Sequence, residues 1–162
     1  MNIPLRGSSS HGLRWRWAPF EWLTAVDVYD MLRLRQDIFV LEQRCLYRDI
    51  DGRDRQAFHG LGTTLGGELV AYARVLPPTP ERDEPSIGRV VVAQHWRGKG
   101  VGRELMQTAI EFAGSQFQGR SVRISAQAHL EQFYASLGFV RLSPNYDDDG
   151  IPHCDMRRSG EP

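Results

Sequence analysis

Among 162 residues there are only two cysteines, Cys45 and Cys154, too few and too far apart for a metal ribbon or a disulfide framework. They read as free thiols, with a single bridge between them left open. No apolar run reaches the roughly 18–20 residues that cross a bilayer, and residues 1–19 lack the continuous apolar centre of a secretory signal. The expectation is a cytoplasmic protein without membrane association. Charge of one sign is not in excess either. Twenty basic residues balance twenty acidic ones, which removes the surplus of a general nucleic-acid binder. Hydrophobic residues are 41% and charged residues 25%, so the bias of a disordered or fibrous chain is missing as well. At this length a single domain with one core is the expected organisation.

No internal repeat is visible, and the chain divides by local pattern. Residues 1–12 hold Gly7, three consecutive serines and Gly12 with no acidic group, a composition that predicts a loose arm. Leu13, Trp15 and Trp17 then alternate with Arg14 and Arg16, which predicts a first edge strand closing the segment 1–19. Residues 20–158 are the expected domain, and 159–162 a tail. Thr24 with Asp27 suits a helix N-cap, and Val28, Met31, Leu32, Ile38 and Phe39 follow at helical spacing, so a helix is predicted from Thr24 to about Gln43. Arg35 and Glu42 both lie near its apolar stripe. Either they form an anchoring salt bridge, or Glu42 faces a substrate cleft.

Residues 49–54, Asp-Ile-Asp-Gly-Arg-Asp, are turn chemistry without the remaining ligands of a calcium loop. Residues 57–65 and 69–76 read as strands joined through Gly66-Gly67 in a two-residue hairpin, and four prolines between 77 and 85 mark an exposed loop. A strand at 87–93 comes next. A helix at 101–113 follows, with Val101, Leu105, Ala109 and Phe112 on one face, then a strand at 121–126 and a short helix at 130–137 closed by Gly138. An antiparallel meander followed by this alternation predicts an α+β domain built on a mixed sheet.

The segment Arg97-Gly98-Lys99-Gly100-Val101-Gly102-Arg103 lies where a strand gives way to a helix. Its glycines let a ligand approach the backbone, and the first helical amides are unpaired donors at the positive end of the dipole, a natural place for a polyphosphate. It is not a P-loop, because no Ser or Thr follows Lys99. It is not a Rossmann fingerprint, because Arg103 occupies the third glycine position. Arg-x-x-Gly-x-Gly, from Arg97 to Gly102, resembles instead the pyrophosphate loop of the GCN5-related N-acetyltransferase (GNAT) superfamily. The stretch 133–139, Phe-Tyr-Ala-Ser-Leu-Gly-Phe, is similar to that family's FYxxxGF segment. Residues 126–130, the stretch 39–43 with Tyr47, Asp49, Asp51 and Gly52, and Tyr146 with residues 149–153 resemble its ElaA-like branch.

The resemblance implies a GNAT fold, a central twisted mixed sheet whose middle strands splay between flanking helices. It implies an acetyl-CoA-dependent N-acetyltransferase in which an amine attacks the thioester directly, with acetyl-CoA as co-substrate. Val90, Val91 and Val92 would then pair with the pantetheine arm, an amide near Val92 would stabilise the oxyanion, and Arg97 to Arg103 would cradle the pyrophosphate. Gln127 would contact the pantetheine at a position where many relatives carry Asn. Tyr134 would be the general acid, since a phenol with an ordinary pKa of ~10 is protonated at neutral pH. Glu42, His59, His129 and His153 are the candidates on the acceptor side, with ordered water as an alternative base. No ligand spacing for a metal is present, because adjacent His153 and Cys154 would point to opposite faces of a strand. The acidic run 147–149 reads as a solvated turn that could attract a cationic amine. The acceptor is expected to be an amine on a small molecule, peptide or protein, with a homodimer left open. A non-catalytic acyl-CoA-binding module is the rival reading.

Overall fold

Alternation at the N-terminus produces an edge strand. In the computed structural model, which describes residues 9–160, β1 (Arg14–Pro19) pairs antiparallel with β2 (Phe58–Thr63). Trp17 is buried and stacks on Phe112 with 4.8 Å between ring centres. Its cross-strand partner is Gly60, and a Cβ there would lie 2.4 Å from the indole, which explains a glycine inside a strand. Of the predicted loose arm, residues 1–8 lie outside the described residues. His11 departs from that expectation, since its ring packs against Glu104 and the Lys99 carbonyl.

α1 (Ala25–Arg35) opens on a complete capping box: Asp27 N–H donates to Thr24 Oγ1 at 3.1 Å and Thr24 N–H to Asp27 Oδ2 at 2.8 Å. The single helix expected to about Gln43 instead widens after Arg35 into a π-helix, Gln36–Glu42, which 3.6-residue spacing does not register. β2 turns into β3 (Leu69–Leu76) through a loop one residue longer than predicted. Thr64 N–H reaches the Glu68 carbonyl and only Gly67 takes a positive φ (90°), leaving residues 65–67 as the connection.

β4 (Ser86–Val92) continues the meander, and α2 (Val101–Gln116) crosses the sheet with Val101, Leu105, Ala109 and Phe112 buried. β5 (Val122–Gln127), α3 (Glu131–Ala135), β6 (Val140–Arg141), β7 (Tyr146–Asp148) and β8 (Ile151–Arg158) complete the described chain. The sheet order is β1-β2-β3-β4-β5-β8-β6, with β7 on β8, so the expected α+β arrangement of a mixed sheet with flanking helices is what the chain adopts. Cys45 and Cys154 are buried and free, so the bridge left open does not form. Among the described residues no helix is long and apolar enough to cross a membrane.

Two features shape the centre of the sheet. The parallel neighbours β4 and β5 share a single paired position, Ser86 with Arg123, and diverge beyond it. In the β3–β4 ladder, Tyr72 faces Val91 while Arg74 faces Gly88, so two steps of β3 span three of β4. The extra residue is accommodated by a bulge at which Arg89 takes a φ of 53°.

Candidate active site

Where β4 and β5 part, a cleft of about 390 Å³ opens between Gly88, Arg89 and Val90 on one side and Ser125, Gln127 and His153 on the other. Tyr134 closes one end. Its ring packs edge-on to Phe133 and Phe139, at 5.1 and 6.1 Å, and only 7% of the residue is exposed. Burial pushes its pKa up to about 12, and no other described residue hydrogen-bonds to its phenol. Gln127 donates to Gln43 Oε1 at 3.0 Å, linking the end of β5 to the end of the π-helix. His153 also lines the cleft and holds its Nδ1 2.8 Å from the Ile151 carbonyl.

The glycine-rich loop lies between β4 and α2. Gly98 and Gly100 have φ of 72° and 88°, left-handed values that favour glycine, and Gly100 is an N-cap without a side-chain cap bond. The first amides of α2 therefore remain available to an anion. Gly102 has a different basis: a Cβ there would make only an ordinary 3.8 Å contact with Val92. Arg97 is turned back. Its Nε donates to the Val92 carbonyl at 3.0 Å, and its two terminal nitrogens hold Glu42 at 2.5 and 3.1 Å. The anticipated Arg35–Glu42 pair is thus absent, because each residue has another partner. Arg103 donates to Ser136 Oγ at 2.6 Å and lies over the Phe133 ring, tying α2 to the segment that carries Tyr134. The Lys99 ammonium lies over the Trp96 ring at 5.2 Å.

The other expected acceptor-side residues do not converge. His59 is sealed in the core, with Nδ1 2.7 Å from the Tyr72 hydroxyl and Nε2 2.8 Å from the Asp54 carbonyl. Burial holds its pKa below the usual histidine range, and the ring belongs to the core rather than to an acceptor site. His129 is exposed on the 3₁₀ turn Ala128–Leu130 and does not line the cleft. Among the described residues no group of three or more His, Cys, Asp or Glu is placed to hold a metal ion.

An ion network at the cleft wall was missing from the sequence reading. Arg35, fully buried, pairs with Asp49 at 2.9 Å and Asp54 at 2.8 Å, and Arg74 pairs with Asp51 at 2.6 Å and Asp54 at 3.0 Å. Arg89 lies 2.7 Å from Asp49 and packs over the Tyr47 ring. For Asp54, burial works to raise the pKa, but the hydrogen bonds and charges of Arg35 and Arg74 outweigh it and the value is lowered. The available signal was Arg74 itself, a cation inside the apolar run of β3, which requires a buried partner.

Comparison with known proteins agrees with this geometry. Residues 36–159 match the family model described as an acetyltransferase (GNAT) domain, so the chain belongs to the GNAT acetyltransferase family. It is 42% identical over 144 residues to a Synechocystis protein named UPF0039 protein sll0451, covering 89% of this chain and 94% of that protein. It is 40% identical over 148 residues to Escherichia coli protein ElaA, covering 90% and 96%. The crystal structure of Escherichia coli ElaA superposes with a TM-score of 0.84, covering 91% of this chain and 99% of that one. A structure titled as an acyl-CoA N-acyltransferase from Pseudomonas aeruginosa superposes with a TM-score of 0.86 at 38% identity, again over 91% and 99%.

Proposed function

We propose that the chain transfers an acetyl group from acetyl-CoA to a primary amine of a small molecule, peptide or protein by direct attack. The observation that carries this reading is the cleft between splayed β4 and β5, with the unbonded Tyr134 phenol at one end and the glycine-rich entry to α2 close by. The amine nitrogen forms a bond to the thioester carbonyl carbon, main-chain N–H near Val92 steadies the oxyanion, and the C–S bond then breaks. Tyr134 gives its proton to the departing thiolate. Val90 to Val92 receive the pantetheine along a strand edge that β5 leaves unpaired, Gln127 bonds to it, and the loop 97–103 takes the pyrophosphate through its amides.

His153 is the acceptor-side base in this reading. Of Glu42, His59, His129 and His153, it alone lines the cleft. With Nδ1–H donated to the Ile151 carbonyl, Nε2 keeps the lone pair that accepts the amine proton. The relative titled acyl-CoA N-acyltransferase supports an acyl-CoA donor.

The test is a thermal-shift titration with acetyl-CoA, ATP and NAD, followed by CoA release against a panel of amines. Acetyl-CoA at 100 times its Kd is expected to stabilise the fold by about 2.7 kcal/mol, with little effect of the two nucleotides. No shift at millimolar acetyl-CoA overturns the assignment. A shift without release against any amine makes the chain a binding module instead.

A further inference from the structure

His11 and Lys99 are 88 residues apart in sequence and in contact in space. The imidazole Nε2 meets the Lys99 main-chain carbonyl, and Nδ1 lies 2.5 Å from Glu104 Oε2 in the first turn of α2. A carbonyl and a carboxylate both only accept hydrogen bonds. A neutral imidazole has one N–H and serves one of them; both contacts together require the doubly protonated ring.

The surroundings make this arrangement specific. Glu104 is fixed from its other oxygen by the Trp15 indole N–H at 2.8 Å, and Ser10 Oγ lies 3.3 Å from Oε2. His11 Nε2 would lie 3.4 Å from a Cβ on Gly100, so the ring rests against the stretch whose left-handed glycines form the anion cradle. The described groups facing the ring are Glu104 from α2, the Lys99 carbonyl from the loop, and Ser10 from its own segment.

We propose that His11, as an imidazolium, is a positioning residue for the pyrophosphate of the acyl-CoA: it ties the Lys99 carbonyl to Glu104, holds the glycine turn in its anion-binding form, and makes cofactor affinity depend on one proton. The proposal rests on the acyl-CoA reading of this loop. Deprotonation breaks one of the two contacts and removes the positive charge beside the Glu104 carboxylate, whose own charge in the first turn of α2 then opposes a diphosphate more strongly. The hydrogen bond to Glu104 raises the ring's pKa most, with burial opposing it and the Lys99 carbonyl assisting. The imidazolium therefore persists above pH ~6.5, and the tie is lost as pH rises through the raised value.

Calorimetric binding of CoA and of 3′-dephospho-CoA from pH 5.5 to 9 tests it, with the wild type, His11→Gln and Glu104→Gln. Dephospho-CoA keeps the diphosphate but lacks the phosphomonoester, whose own titration near pH ~6 would overlap. Wild-type affinity for dephospho-CoA is expected to fall roughly tenfold across the His11 titration, the scale of one charged hydrogen bond. His11→Gln should bind at every pH as the wild type does at high pH, with a melting temperature below the wild type's at pH ~6 and equal to it once the ring has lost its proton, and Glu104→Gln should move the midpoint down. The ¹⁵N resonances of His11 in the unliganded protein should show two N–H nitrogens at pH 7. A neutral ring at pH 7, a flat wild-type profile, or a wild-type slope retained in His11→Gln overturns the proposal. Absence of CoA binding at any pH, with an imidazolium seen by ¹⁵N, counts instead against the acyl-CoA reading of the loop.

Discussion

Tyr134→Phe should lower turnover without lowering stability. The phenol bonds to no described residue, so its removal breaks no hydrogen bond within the described fold, while the ring keeps its packing against Phe133 and Phe139. The phenol lines the open cleft, so its removal relieves little of the ~1–3 kcal/mol that a sealed unpaired hydroxyl would cost. The variant is therefore expected to match the wild type or exceed it by up to ~1 kcal/mol, which for a chain of this size is about 2–4 °C in Tm. The rate should behave differently. General-acid assistance is worth roughly 10²–10⁴, or about 3–5 kcal/mol of barrier. With its pKa raised to about 12 by burial, the phenol stays protonated through the working range, so Tyr134 places no alkaline limb on the rate below that value. The assay is single-turnover acetylation at saturating amine, because slow product release would hide a chemical defect in kcat. A change confined to KM would mean that the hydroxyl only positions the thioester. An unchanged single-turnover rate, or a Tm several degrees lower, refutes the reasoning.

Gly100→Val should abolish CoA binding in a folded protein, since φ is 88° and the new side chain would press on His11, whereas Gly102→Ala, with only a 3.8 Å contact to Val92, should bind nearly as the wild type; equal affinities would remove the loop from the site. Arg35→Met leaves buried Asp49 and Asp54 short of a cation and should cost about 3–5 kcal/mol in denaturant unfolding, and a loss under 1 kcal/mol would show that the network contributes little. Acid should destabilise the fold in two stages. His59, whose folded pKa is depressed, is neutral when folded and loses stability as pH falls below ~6.5. Asp51 and Asp54, held below the usual carboxylate range, add a second loss below pH ~4, and an unfolding free energy that stays level from pH ~6.5 to ~5, where the raised His11 is already fully protonated, would contradict the first stage.

Much of the fold was legible because it is written in local pattern. The capping pair Thr24 and Asp27, the stripe on α2 and the alternation of β1 each follow from spacing alone. The parts that were not legible depend on partners distant in sequence. Glu42 pairs with Arg97 across 55 positions, and no helical spacing can choose that residue over Arg35. His59 falls in a strand whose pattern does not tell which groups meet its two nitrogens, so a core histidine resembled a site histidine. The loop 97–103 was recognisable from residue types, but the chain's own use of Arg97, which folds back onto Val92 and Glu42, is a tertiary fact.

The bulge in β4 beside the cleft is held by the ion network. A non-glycine residue held at φ 53° costs on the order of 1–3 kcal/mol and persists only where its surroundings offset that cost. For Arg89 those surroundings are Asp49 at 2.7 Å, Asp51 at 3.4 Å and the Tyr47 ring at 5.2 Å. The acids are anchored in turn by Arg35 from α1 and Arg74 from β3, so three guanidinium groups face three carboxylates and the cluster carries no net formal charge. An apolar core of the same volume could be equally stable, because desolvating ions offsets most of their attraction. It would have no means of drawing one side chain out of a strand toward the 49–54 turn. The bulge uses that directionality: Arg89 is turned toward the acids, Val91 and Val92 keep their pairing to β3, and the β5 side of β4 stays free past Ser86. The six charges thus do for β4 what hydrophobic packing cannot, which is to fix its bulge at one chosen residue beside the cleft.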